Sequence, residues 1–154
     1  MRGGNMSKYQ KATFAAGCDW HLEDYFSNLD GIEHILKGTA GEDKSDPTVR
    51  DIGDNNEIVE VQFDPSVITY PDLLNHFWTQ HDPTVPGQGK YASVIFTHGK
   101  EQYEEALRSR DEQERKRGKP VVTQVMPVAA LSTGSKIIWR SVPKHRELRY
   151  KVSC

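Results

Sequence analysis

Only two cysteines, Cys18 and Cys154, occur in 154 residues, too few for a disulfide scaffold. In a reducing compartment such a pair is more often redox-active than structural. No apolar run approaches the roughly 18 residues of a membrane span and no signal-peptide pattern is visible, so a cytoplasmic location without a membrane partner is expected. Neither sign of charge dominates. With 20 Lys and Arg against 22 Asp and Glu, the formal net charge is −2, and nucleic acid is not an expected partner. The basic run Arg115-Lys116-Arg117 is offset by Asp111, Glu112 and Glu114 and reads as a solvated helix face. Cys18, Asp19, His21 and His81 are possible metal-ligand types, but they lack zinc-site spacing, so neither a metal nor another cofactor is expected. No internal repeat or interior linker breaks the chain. One domain over residues 11–154 is expected, after a polar, glycine-rich and frayed segment at 1–10.

What is present alternates between strand and helix patterns. The small apolar run Ala12-Thr13-Phe14-Ala15-Ala16 reads as a buried strand, and Gly17 gives a tight exit. From Asp19, Leu22, Tyr25, Phe26 and Leu29 share a helical face. Gly31 opens a second strand through Ile32, Ile35 and Leu36, followed by a long polar loop from Thr39 to Asn56. Glu57 to Asp64 alternates at Val59, Val61 and Phe63, and Pro65 stops that strand. Thr69 and Asp72 form a capping-box pattern ahead of Leu73, Leu74, Phe77 and Trp78. A strand over Tyr91 to Thr97 follows a Gly-rich loop. Lys100 to Arg117 reads as a charged helix with Tyr103, Ala106 and Leu107 as its apolar stripe. Gly118 and Pro120 end it, and Val121 to Val128 reads as the last strand before a tail. The order β-α-β-β-α-β, then helix, strand and tail, predicts an α+β fold of ferredoxin-like, split β-α-β type, with both helices over one face of a mostly antiparallel sheet.

This layout puts Cys18 at a strand-to-helix turn, beside the amides that open the helix. The helix dipole there favours the thiolate, which is the nucleophilic form. A buried, inert cysteine is the alternative. Gly17-Cys18-Asp19-Trp20 resembles the Gly-Cys-Phe-Trp signature of the A-type peptide methionine sulfoxide reductases, with Asp19 where the family has Phe. The resemblance runs from Ala12 to about Tyr150, and implies that family's fold. It implies that Cys18 attacks a sulfoxide sulfur while Trp20 packs against the substrate, with Asp19 and His21 beside it. Glu57, counted back from Phe63-Asp64-Pro65, matches the family's general acid, which protonates the departing oxygen. In that role burial must keep its carboxyl protonated near neutral pH. Its approach reads Asp54-Asn55-Asn56-Glu57 in place of the family's Gly-His-Ala-Glu.

Tyr91 resembles the tyrosine of the family's Gln-Tyr-Arg-Ser strand, which hydrogen-bonds the oxygen, although Lys90 and Ala92 flank it here. Val49 stands where a second family tyrosine would follow Asp46-Pro47-Thr48. His81-Asp82-Pro83-Thr84 reproduces the family's His-Asp-Pro-Thr turn and reads as structural, with Asp82 and Thr84 capping local amides. Trp139 and His145 match the spacing of a C-terminal aromatic and histidine, with Val142 in place of a glutamate. The resemblance implies that Cys154, on the C-terminal tail, resolves a sulfenic acid on Cys18, with an incidental exposed thiol as the alternative. The implied partners are a small-molecule or peptidyl sulfoxide as substrate, and thioredoxin or a small thiol as reductant. Two alternatives stay open on the residues alone. In one, the Asp19 carboxylate removes apolar surface worth roughly 1.5–3 kcal/mol and retunes the site for a more polar substrate. In the other, the chain is an inactive binding or redox-sensing descendant.

Overall fold

A computed structural model describes residues 9–16, 19–40, 57–84, 93–129 and 137–142. Its strands are β1 (Gln10–Ala16), β2 (Ile32–Ala40), β3 (Glu57–Phe63), β4 (Ser93–Thr97), β5 (Gln124–Pro127) and β6 (Ile137–Val142). The helices are α1 (Asp19–Ser27), α2 (Tyr70–Thr79) and α3 (Lys100–Arg117). The six strands form one sheet in the order β5-β4-β1-β3-β2-β6. β1 and β2 each pair antiparallel with β3, so they run parallel to one another with β3 between them. Among the described residues, only β4 and β5 pair in parallel. The fold is mixed α+β.

Strand alternation sorts the side chains into two faces. On one, Ala12, Phe14, Ile35, Val59, Val61, Phe63 and Ile95 are buried beneath Leu22 and Phe26 of α1, Leu73, Leu74, Phe77 and Trp78 of α2, and Ala106 of α3. Phe14 is the hinge of this packing, stacked on Phe26 at 5.5 Å and on Phe77 at 4.7 Å between centroids. Each large apolar side chain buried this way contributes about 1.5–3 kcal/mol. On the other face, Ala15, Ile58, Val94 and Phe96 form a smaller cluster with Met126 and Val128 against it.

Local chemistry fixes the helix ends. The Asp72 amide donates to Thr69 Oγ1 (3.2 Å) and the Thr69 amide to the Asp72 carboxylate (3.1 Å), completing the expected capping box of α2. α3 ends at Gly118, whose φ of 68° suits glycine and whose amide donates to Glu114 O. Gly31, at φ 94°, leads into β2, and a Cβ there would lie 2.7 Å from Ile68 Cγ2. That turn therefore requires glycine.

Four expectations are corrected. β2 runs on to Ala40 through ladder bonds to β3 and β6, so it takes the first residues assigned to the loop. The last-strand pattern over 121–128 shrinks to Gln124–Pro127, because the Val121 amide donates to Glu114 and the Val122 amide to Pro83 O instead of to a ladder. The tail contains a further strand, β6, formed by the β-branched and aromatic run Ile137–Val142. On α3, Gln102 takes the inner position expected of Tyr103, which is exposed. The Gln102 amide bridges Lys11 O and the His98 amide, two backbone groups that an apolar side chain would leave unpaired.

Candidate active site

Three strand ends meet at one end of the sheet. β1 stops at Ala16, opposite Ser93 at the start of β4. β3 starts at Glu57, and the β1–β3 register (Gln10↔Phe63 to Phe14↔Val59), continued by two residues, brings Glu57 level with Ala16. Glu57 is also paired with Thr39 of β2. α1 begins at Asp19, so Asp19, Trp20 and His21 form its first turn. The predicted nucleophile Cys18 follows Ala16 by two residues and Tyr91 precedes Ser93 by two. Both lie outside the described residues, as do Val49, His145, Cys154 and the side chains of Glu57, Asp19, Trp20 and His21. Trp139 is in β6, paired with Gly38.

Beside these strand ends, a polar chain crosses from α2 to the approach to β5. His81 Nδ1 lies 3.1 Å from Phe77 O, and His81 Nε2 lies 2.8 Å from Ser93 Oγ. Ser93 Oγ is in turn 2.8 Å from Thr123 Oγ1. A carbonyl only accepts, so Nδ1 carries the proton and Nε2 accepts from the Ser93 hydroxyl. The Thr123 hydroxyl then donates to Ser93 Oγ. The Thr123 carbonyl accepts from Arg110 (3.1 Å), which ties in α3. Burial lowers the His81 pKa to about 4, with the bond to Phe77 O opposing that shift, so the ring is neutral at physiological pH. The His81 ring also packs on Phe77 at 4.6 Å and on Trp78 at 6.3 Å between centroids. The indole of Trp78 donates to Ser109 Oγ at 2.8 Å, joining α2 to α3.

The turn after His81 is built largely as the sequence predicts. The Thr84 amide donates to Asp82 Oδ1 at 3.0 Å. The Thr84 hydroxyl differs: it donates to the same carboxylate oxygen at 2.6 Å and does not cap an amide. These two bonds hold the Asp82 carboxyl below its ordinary pKa. His81, read from the sequence as part of a structural turn, is buried and hydrogen-bonded at both ring nitrogens. The His-Asp-Pro-Thr turn marks it in the sequence, but its partner Ser93, and Thr123 beyond it, are distant in the chain.

A second polar group lies among the buried residues on the sheet's other face. Glu60 is 9% exposed, accepts from Thr13 Oγ1 at 3.4 Å, and lies 3.9 Å from Lys11 Nζ. His98 Nε2 is 2.8 Å from Thr13 Oγ1, and donates to it when the hydroxyl proton points at Glu60. Burial raises the Glu60 pKa, against the opposing pull of Lys11 and Thr13. Among the described residues, no three His, Cys, Asp or Glu side chains come together to hold a metal ion. No described helix is long and apolar enough to cross a membrane.

Residues 10–140 match the family model described as peptide methionine sulfoxide reductase. The chain belongs to that family. It is 40% identical over 139 residues to the peptide methionine sulfoxide reductase MsrA of Geobacter sulfurreducens, an overlap of 82% of this chain and 85% of that one. Among solved structures, methionine sulfoxide reductase A of Corynebacterium diphtheriae superposes with a TM-score of 0.65 at 26% identity, covering 84% of this chain and 69% of that one. Mxr1 from Saccharomyces cerevisiae, in complex with Trx2, superposes with a TM-score of 0.59 at 28% identity, covering 78% of this chain and 76% of that one. Membership of this reductase family favours sulfoxide reduction over the retuned-pocket and inactive-descendant alternatives.

Proposed function

We propose that this chain reduces methionine S-sulfoxide, free or within a protein, through a sulfenic acid on Cys18. The Cys18 thiolate attacks the sulfoxide sulfur and Glu57 gives a proton to its oxygen, which would otherwise leave as a strongly basic anion. Tyr91 hydrogen-bonds that oxygen, Trp20 packs on the substrate, and Asp19 and His21 border the pocket. The substrate S–O bond breaks, an S–O bond forms on Cys18, and the sulfide departs. The substrate sulfur gains two electrons and Cys18 loses two. The Cys154 thiol then condenses with the sulfenic acid, forming a disulfide and releasing water. Thioredoxin, or a small thiol, reduces that disulfide by exchange. The step needs no metal or organic cofactor.

The observation that carries this reading is the meeting of the ends of β1, β3 and β4, with Cys18, Glu57 and Tyr91 in or within two residues of those ends. The complex of Mxr1 with Trx2 supports thioredoxin as the physiological reductant. The β4-β1-β3-β2 order within the sheet supports a ferredoxin-like, split β-α-β core, with β5 and β6 added at its edges. Residues 11–154 act as one catalytic unit, and a cytoplasmic setting suits a mechanism that cycles through free thiols.

Turnover of free methionine S-sulfoxide with dithiothreitol tests the proposal. The wild-type chain should consume sulfoxide, and Cys18→Ser should lower the rate by at least about 1,000-fold, as loss of a covalent nucleophile does. With Cys154→Ser, dimedone should label Cys18 after a single turnover. A wild type that consumes no sulfoxide, with no dimedone adduct on Cys18, would sink the proposal.

A further inference from the structure

We propose that His81 is a positioning residue for this reduction, holding Ser93, and with it the start of β4, in register with the end of β1. The inference rests on the function proposed above and adds to it a residue outside the set Cys18, Glu57, Tyr91 and Cys154. Ser93 is the residue through which β4 first meets β1, since its backbone partner is Ala16. Its hydroxyl is claimed from two sides, by His81 Nε2 and by Thr123 Oγ1, each at 2.8 Å. Ser93 and Thr123 are 7% and 2% exposed, so a bond lost there is poorly replaced by water.

Apolar packing alone would hold this strand to the sheet, as it holds Val94, Ile95 and Phe96 immediately after. What hydrogen bonds add is direction. The Nδ1–H bond to Phe77 O fixes the rotation of the imidazole, the ring packing on Phe77 and Trp78 fixes its plane, and Nε2 is left aimed at one hydroxyl. A strand end held this way has a set height and twist. Tyr91 is two residues before that end and Cys18 two residues after Ala16, so an error at Ser93 becomes an error in the distance between the oxygen-binding and sulfur-attacking groups. Misplacement by about 1 Å can lower a rate by about 100-fold.

The test uses the full chain with His81→Phe, which keeps a ring for Phe77 and Trp78 but removes both nitrogens. It also uses His81→Gln, whose amide can donate to one partner and accept from the other. Single-turnover reduction of methionine S-sulfoxide, KM, the folded fraction and the rate of Cys18 alkylation by iodoacetamide are measured on each. His81→Phe is expected to slow the reductive step by about 10- to 100-fold, with KM within about threefold of wild type. Cys18 alkylation should be unchanged, because the thiol itself is not perturbed, and His81→Gln should regain most of the lost rate. Should His81→Phe not fold, Ser93→Ala carries the same expectation, since it breaks the chain at the next link. A His81→Phe or Ser93→Ala rate within twofold of wild type would overturn the proposal. So would a loss matched by the loss of folded protein, or a His81→Gln no faster than His81→Phe. If the wild type itself reduces no sulfoxide, the catalytic reading falls and this one with it. An active wild type beside an equally active His81→Phe removes only the positioning role.

Discussion

The two faces of the sheet are closed by different means. Under the helices, Phe14, Phe26 and Phe77 stack in a layer where shape and apolar area are sufficient. Across the sheet, Ala15, Ile58, Val94 and Phe96 share their face with Thr13 and Glu60, and there each polar atom needs its partner. An apolar layer responds to truncation by volume and is indifferent to pH. A buried polar set responds to the loss of one partner and to protonation, because the group left behind is desolvated and unpaired. The contrast shows that burial alone does not describe a core.

Three measurements can break or sharpen that contrast. The largest effect belongs to the aromatic layer. Phe14→Ala should cost about 3–5 kcal/mol in urea unfolding, with the same loss at pH 5 and pH 8. A loss that changed with pH would contradict the proposed indifference of this face. Next comes His81, the polar group at the rim of the helix-covered side, with Arg117 and Asp82 as the charged groups near it. Its folded pKa of about 4 lies below its unfolded value, so the folded state binds fewer protons and stability rises with pH. Stability should therefore fall as pH drops from about 6.5 to about 4, by on the order of 3 kcal/mol at 1.36 kcal/mol per pKa unit. His81→Phe should remove this dependence.

The smallest effect, and the one of opposite sign, is at Glu60. Its pKa is raised on folding, so the folded state binds more protons and the ionised carboxylate is penalised above its folded pKa. Glu60→Gln should leave the chain slightly more stable than wild type at pH 8, by about 1 kcal/mol, the scale of one hydrogen bond. The gain should fade as pH falls toward the ordinary glutamate range. A Glu60→Gln chain that is less stable at pH 8 would show that the Lys11 pairing outweighs desolvation.

Elements whose apolar residues repeat at one period were legible in the sequence, and those set by distant partners were not. β1, β3 and the inner faces of α1 and α2 follow directly from the spacing of Ala12 and Phe14, of Val59, Val61 and Phe63, and of Leu73, Leu74, Phe77 and Trp78. The capping box of α2 was equally plain, because its partners are three residues apart. Glu60 was hidden by its own pattern. In an alternating strand it occupies the slot of a solvated residue, and only the pairing of Thr13 with Glu60 places Thr13 beside it. Glu57 was singled out only by its match to the family pattern counted back from Asp64-Pro65, and the bonds of His81 depend on Ser93 and Thr123, 12 and 42 residues further on. Hydrogen-bond direction is fixed by folded geometry, and no local signal encodes it.

β5 brings one more property. It is a four-residue strand on the outer side of β4, and it closes with Pro127. Proline has no amide proton to offer an incoming chain, and so short a rim gives little length for templated pairing. Among the described residues, a broad sheet thus ends on this side in a border that offers little template for cross-β growth.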